Sequence, residues 1–457
     1  MRKELEARPF VLLAAGIALG LTASSHPGHL LLVPVLLLFL RGVGPWSALL
    51  IGLTVGFLRT PAPTVPLLER TFVNGPALVA SVPRLYPDQL SCEVETGGRR
   101  LLLIARGCPD LVLGDRLAVM GVAKPLRDGA DSFLLLKGIE GRLEPVRLER
   151  TERGAGIYRL ADAWRRDFVS LTDRYLPKRV AAVVQALAFN LDTRLDDVTE
   201  DRLRATGTVH IVSVSGLHVF VIAAATMFAL SMLPLPRPWQ IGLLALILGL
   251  YAIATGMNVP TLRAMGMGLL GLAAYLFRRE PDVPSALAAM AVGSLLWRPN
   301  AIFEPGFQLS FLTVAGLALF APSGLDVADG LRPWLKHRGV EVLRVSLVAG
   351  IFSAPIVAYH FGELPLLWIP ANLLIAAVVA PIVVGSLLSQ PIAALFPPLG
   401  VGILVLIGTL AGWVLWVVDA LGSLPGSTVS LPGFSAYLLV PLYGAMLLMW
   451  RPRVRRP

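Results

Sequence analysis

The chain has 457 residues, of which 55% are apolar and only 15% charged, and its mean hydropathy is +0.70. Several runs approach the roughly 20 residues that cross a bilayer, so the composition excludes an ordinary water-soluble globular protein and predicts a polytopic α-helical membrane protein. The 40 Lys and Arg against 30 Asp and Glu leave a formal charge of +10, which basic cytoplasmic loops and lipid-facing anchors account for without nucleic acid.

In chain order, residues 1–59 form N-terminal hydrophobic segments, with a retained first span near 9–24 and shorter runs at 28–41 and 43–58. Residues 60–153 are polar and read as an inserted small all-β domain. Its β-rich runs are Ala77–Val82, Leu90–Val94, Arg100–Ile104, Arg116–Met120 and Ser132–Leu136, separated by Gly, Pro and Asp turns. About five strands in so short a stretch suit a small OB-fold-like barrel, a type whose surface binds oligonucleotides or sugars. Stacking aromatics are few there, chiefly Tyr86 and Phe133. Cys92 and Cys108 are the only cysteines. An extracytoplasmic domain would let them close a disulfide, contributing about 3 kcal/mol; two separate buried thiols are the alternative.

Residues 154–200 read as amphipathic and linking helices. Ile157, Leu160, Ala161, Trp164, Phe168, Leu171 and Tyr175 share helical spacing, while Arg159, Arg165, Arg166 and Arg174 fall mainly elsewhere around the helix. Such a helix lies either on the membrane surface or packed on the protein. Residues 201–451 are the main transmembrane domain, with spans near 208–232, 239–256, 260–277, 341–360, 399–421 and 434–450. Segments 284–297, 305–320 and 365–397 are shorter or interrupted by proline, and Pro355, Pro365, Pro370, Pro381, Pro391, Pro397 and Pro398 favour kinks or half-helices. Residues 452–457 form a basic tail. Placing the basic clusters inside puts the β domain outside after three crossings and the C-terminus in the cytoplasm.

The chemistry concentrates in residues 208–220, where His210, Ser213, Ser215, Gly216 and His218 open a membrane-length apolar run. Polar and ionisable groups at such depth are costly unless paired or wetted, which marks them as candidates for a transport path or gate. The alternative is helix packing, with both histidines satisfied by neighbours. On an unbroken helix their eight-residue separation leaves them about 80° apart. Arg263, near the start of another span, can meet an anion, snorkel, or pair with Glu304. Gln308, Ser310 and Asn372 are polar positions in other apolar segments that can equally cap or bridge broken helices. No Cys, His, Asp and Glu spacing predicts a metal site, and no Walker A loop is present, so no cofactor is expected and energy would come from a partner, a gradient or cytoplasmic pulling.

The stretches Ala186–Asn190 and Gly207–Val219, then Pro260–Met265, Gly306–Phe311 and Pro370–Leu374 followed by Pro381, occur in the order of the ComEC competence family, which this chain resembles. The resemblance extends to the preceding β domain and implies an inner-membrane channel that passes single-stranded DNA into the cytoplasm during natural transformation, and not an enzyme. It implies partners as well: the strand, the bilayer, an outer DNA receptor and a cytoplasmic motor. Many members continue into a metallo-β-lactamase-like domain; this chain stops soon after its last span, and a separate nuclease would be expected. An intramembrane hydrolase using Ser213 or Ser215 with His210 or His218, and a small-solute transporter, are the alternatives. The hydrolase requires hydrogen-bond contact between nucleophile and base.

Overall fold

The computed structural model describes residues 66–448 apart from 68, 87, 108–109, 127–133, 136, 281 and 321–330, together with Ala14, Ala15, Ile17 and Ala18. The expected segments 28–41 and 43–58, most of that at 9–24, the tail 452–457, Phe133 and Cys108 lie outside the described residues.

Alternation of apolar and polar side chains builds the β domain. Strands β1 (Thr71–Val79), β2 (Arg84–Leu85), β3 (Gln89–Thr96), β4 (Arg99–Arg106), β5 (Arg116–Lys124) and β6 (Gly141–Glu152) are ordered β1-β5-β6-β4-β3-β2, and a further β1–β3 pairing closes the sheet on itself. All pairings are antiparallel except β4 with β6, which runs parallel from Leu101↔Gly141 to Leu103↔Leu143. Every second residue of β4 and β5 points inward, and Leu90, Val94, Leu101, Leu103, Leu117 and Leu143 fill the interior. Each such leucine contributes about 1.5–3 kcal/mol by burial. Gly121 lies at a register shift of the β5–β6 pair, where a Cβ would come within 2.4 Å of the Glu144 carbonyl oxygen. That approach requires glycine.

Within the run 132–136 expected as a strand, the described residues Leu134 and Leu135 are helical, and the last barrel strand is β6. The second half of β6 is largely exposed, so its sequence lacks the alternation that marks a buried strand. Cys92, on β3, is a free buried thiol, and burial pushes it up to about 12.

The contact pattern divides the chain into two compact units. One contains Pro63–Gly268 and Leu374–Ser427; among the described residues the other contains Leu269–Leu373 and the residues from Thr428 onward. In the first unit the barrel leads into α1 (Gly156–Tyr175) and α2 (Lys178–Phe189). Asp115, fully buried, accepts hydrogen bonds from the Gly154 N–H at 2.6 Å and from Arg159 at 2.7 Å, fastening the start of α1 to the barrel. The helix packs on the protein through part of its apolar stripe, while Ile157, Leu160 and Tyr175 of that stripe are exposed. Trp164 and Phe168 meet Phe189 of α2 with ring centroids 5.1 Å apart in both pairs, and Trp164 also approaches Tyr251. Arg165, which the helical pattern set away from the apolar stripe, is instead buried.

Among the described residues, the helices long and apolar enough to cross a membrane follow α3 (Asp197–Ala205). These spans are Val209–Ser231, Arg237–Ala254, Leu343–Phe361, Trp368–Leu395 and Pro397–Gly422. The first is interrupted: a single turn, α4 (Val209–Val212), is separated from α5 (Gly216–Ser231) by extended residues. Then follow α6 (Arg237–Ala254), α7 (Val259–Leu276), α8 (Val283–Trp297), α9 (Pro305–Phe320), α10 (Leu331–Phe361), α11 (Trp368–Leu395), α12 (Pro397–Gly422) and α13 (Leu439–Leu448). Strands β7 (Glu363–Pro365) and β8 (Thr428–Ser430) pair antiparallel.

The proline-rich segment expected to break is continuous, with Pro381 and Pro391 inside α11 and Pro355 inside α10. Each proline removes one backbone donor, a loss that membrane helices tolerate when neighbouring groups satisfy the freed carbonyl. In the second unit, close packing relies on small residues. A Cβ on Gly316 of α9 would meet the Phe352 ring at 2.4 Å, and one on Gly350 would meet the Trp368 ring at 2.3 Å.

Candidate functional site at an interrupted span

The interruption after α4 is set by a residue distant in sequence. Helix α2 ends at Asn190, which adopts the left-handed conformation at φ 58° as its C-cap. Its side-chain Oδ1 accepts from the Val214 N–H at 2.9 Å and from the Ser213 hydroxyl at 3.2 Å. Asparagine suits both tasks, because it tolerates φ > 0 and presents a carbonyl on a short stem. Asn190 was not among the expected site residues, although it closes the Ala186–Asn190 stretch.

Ser215 is the N-cap of α5, in extended conformation, and His218 occupies the third helical position. The Ser215 side chain accepts from the His218 backbone N–H, while the His218 ring returns the favour to the cap, forming a capping box with imidazole in place of the usual Glu or Gln. Its Nδ1 accepts from the Ser215 N–H at 3.2 Å and lies 2.9 Å from the Ser215 hydroxyl. A ring nitrogen that accepts from an N–H carries no proton, so this imidazole is the neutral tautomer with its hydrogen on Nε2. His218 is only 1% exposed, and its Nε2 has no hydrogen-bond partner among the described residues.

Gly216, the first residue of α5, lets α7 approach. A Cβ there would lie 3.4 Å from Arg263 Nη2 and 3.7 Å from the Ala264 Cβ. Arg263 is itself buried, with Nη1 3.6 Å from the Met267 sulfur. Ser213, Ser215, Gly216, His218 and Arg263 are therefore brought together. His210 stands apart: it is exposed and its Nδ1 donates to the Gly207 carbonyl at 2.9 Å. The helical angle between the two histidines has no meaning across a broken helix.

The remaining expected residues belong to the second unit. Glu304 accepts from Arg298 at 3.0 Å. Gln308 donates to the Ile302 carbonyl at 2.8 Å and accepts from His360 Nε2 at 2.8 Å. His360 is thus a partner that spacing alone did not reveal. Asn372 is half-buried near the start of α11. No group of three or more His, Cys, Asp or Glu that could hold a metal occurs among the described residues.

A family model described as Competence protein matches residues 187–456. The chain is 31% identical over 210 residues to ComE operon protein 3 of Bacillus subtilis (strain 168), covering 46% of this chain and 26% of that protein. It is 31% identical over 193 residues to Competence protein ComA of Neisseria gonorrhoeae, covering 40% and 26% of the two chains. It is also 28% identical over 229 residues to the uncharacterized protein YcaI of Escherichia coli (strain K12), covering 48% and 30%. These alignments span between 26% and 30% of the relatives' length. No solved structure matches. With the interrupted span and its serine–histidine cap inside a match that covers more than half of its length, this multi-pass membrane chain belongs to the competence protein family, as its resemblance to ComEC proteins implied.

Proposed function

We propose that this protein forms the inner-membrane passage through which single-stranded DNA enters the cytoplasm during natural transformation. The observation that carries this reading is the interruption of the Val209–Ser231 span, which puts non-helical backbone, a buried imidazole and Arg263 together within the family-matched region. Irregular backbone persists at membrane depth only where protein buries it or water reaches it. A nucleic-acid strand, charged at every nucleotide, needs a wet path of that kind.

The barrel supports the same reading. Counting its five long strands in order, the first lies between the second and fourth, and the third pairs parallel with the fifth. We read this as an OB-type barrel, placed outside the membrane by the distribution of basic residues and presenting a surface that leads the strand to the membrane. The C-terminus is then cytoplasmic. The matched region acts as a passage, and an outer receptor and a cytoplasmic motor are its partners.

One observation favours the hydrolase alternative: Ser215 Oγ lies 2.9 Å from His218 Nδ1. The same nitrogen, however, accepts the Ser215 backbone N–H, and among the described residues no carboxylate orients the far side of the ring. A nucleophile–base pair normally has that third group. The contact is therefore a helix cap.

The test is uptake of labelled DNA by cells lacking the protein, complemented with wild type, Arg263→Ala or His218→Ala at matched membrane levels. Rescue by wild type and failure of both variants is expected. Unchanged uptake in the deletion strain would remove the channel assignment.

A further inference from the structure

The groups around the start of α5 are donors. Gly216 and Leu217 occupy the first two helical positions, whose N–H groups have no acceptor within the helix, and the helix dipole adds partial positive charge there. His218 Nε2–H is a further donor, buried and unpartnered, on a ring whose other nitrogen is fixed to the Ser215 cap. The two ring nitrogens are separated by one carbon, so this donor stays close to the same helix end. Arg263 Nη2 closes on the cluster across Gly216. Neither α5 nor α7 contains Asp or Glu.

A buried N–H without an acceptor is destabilising by about 1–3 kcal/mol unless a partner arrives. The partner that suits a helix N-terminus and an imidazole N–H lying beside a guanidinium is an anion with several acceptor oxygens. We infer that the start of α5, with His218 and Arg263, binds one phosphate group. Its identification as a phosphodiester of the moving strand rests on the channel reading above; a lipid headgroup phosphate shares the same chemistry. Gly216 marks how near Arg263 comes to this helix end, since a Cβ there would lie 3.4 Å from Nη2. His218 serves as a two-sided positioning group: Nδ1 fixes the cap and Nε2–H meets the anion.

The experiment uses the full chain in phosphatidylcholine nanodiscs, with inorganic phosphate and a short oligothymidylate as probes. Arg263→Gln is expected to weaken phosphate binding about tenfold, as loss of a charge-assisted hydrogen bond does. It should also lower the salt slope of oligomer binding by about 0.7, the contribution of one single-strand phosphate contact. His218→Asn keeps an acceptor near the cap but removes the far-side donor, and should weaken phosphate binding about tenfold at unchanged thermal unfolding. His218→Gln, with an amide donor in the Nε2 position, should recover part of it. An oligomer with uncharged methylphosphonate links should bind wild type and variants alike.

Wild-type phosphate affinity in both Arg263→Gln and His218→Asn would overturn the site. So would absence of phosphate binding by the wild type. Oligomer binding with a slope that ignores both substitutions overturns the site while leaving the channel reading intact. Phosphate binding that the variants lose, without any oligomer binding, supports the site and removes the strand as its source. Competition of phosphate by phosphatidylglycerol nanodiscs then assigns the headgroup.

Discussion

Asp162→Ala should loosen the junction between α1 and the barrel. The Asp162 side chain is 8% exposed and lies between two arginines, accepting from Arg165 and from Arg166 Nε at 2.6 Å. Arg165, whose side chain is 3% exposed, also donates to the Pro83 carbonyl at 2.9 Å, which ties the helix to the β1–β2 connection. Burial pushes the Arg165 guanidinium down from its ordinary range while the Asp162 charge opposes that shift. Removing the carboxylate leaves a buried cation with one remaining acceptor, a change that typically costs about 3–5 kcal/mol. If α1 opens by local unfolding, that corresponds to exchange of its amides faster by about two to four orders of magnitude. Hydrogen exchange followed by mass spectrometry on the nanodisc-embedded protein reads this directly on peptides covering Gly156–Tyr175 and the segment around Pro83. The double variant Asp162→Leu/Arg165→Met, which removes both charges, should recover much of the protection because the desolvation cost disappears with the pair. Wild-type exchange in Asp162→Ala would refute the assignment of this pair as the junction's fastening.

Other outcomes follow from the same geometry. Asn190→Ala removes the acceptor that holds Val214 and Ser213 and places alanine at φ > 0, so it should cost about 1–3 kcal/mol and abolish labelled-DNA uptake at matched expression; uptake at the wild-type level would show that the span interruption does not need this tie. Gly316→Val drives a side chain into the Phe352 ring and should lower stability by about 1–3 kcal/mol in a detergent unfolding assay, whereas Gly306→Ala, which meets nothing, should be far milder. Cys92, raised by burial from its ordinary 9.0 to about 12, stays a neutral thiol in the folded state. Its burial therefore contributes stability that is fully present below pH 9 and lost as pH rises toward 12. Iodoacetamide at mildly alkaline pH should leave it unmodified in the native protein and label it after unfolding in urea with reductant; equal labelling rates would refute the burial.

Much of the barrel was legible because alternation survives wherever one face of a strand is buried, as in Leu101, Leu103 and Ala105 of β4. β6 was not, since its second half runs beyond the buried interior and carries Arg and Glu on successive positions. Apolar length marked the spans, but proline was a poor guide to where they break. Pro381 and Pro391 sit inside an intact helix, while the real interruption falls at Ser213–Ser215, which contains no proline. Serine and glycine do not by themselves stop a membrane helix. Here the stop is imposed by Asn190 from the end of α2, a tertiary contact that no local window contains.

The same distinction separates the candidate residues. Ser215, Gly216 and His218 are adjacent in sequence, so their cluster was visible; what sequence left open was whether the histidines act alike. His210 Nδ1 is a donor to its own turn and His218 Nδ1 is an acceptor from a cap, so the two rings present opposite tautomers. Only the second leaves a buried N–H without a partner. Gln308 and Glu304, equally polar and equally set in apolar sequence, have side-chain partners in His360 and Arg298. Polarity at membrane depth thus accompanies both satisfied packing, as at Gln308, and groups without a partner among the described residues, as at His218, Thr261 and Ser386. If the start of α5 binds phosphate as proposed, the anion offsets the cost of burying His218, whereas Gln308 is already held by His360.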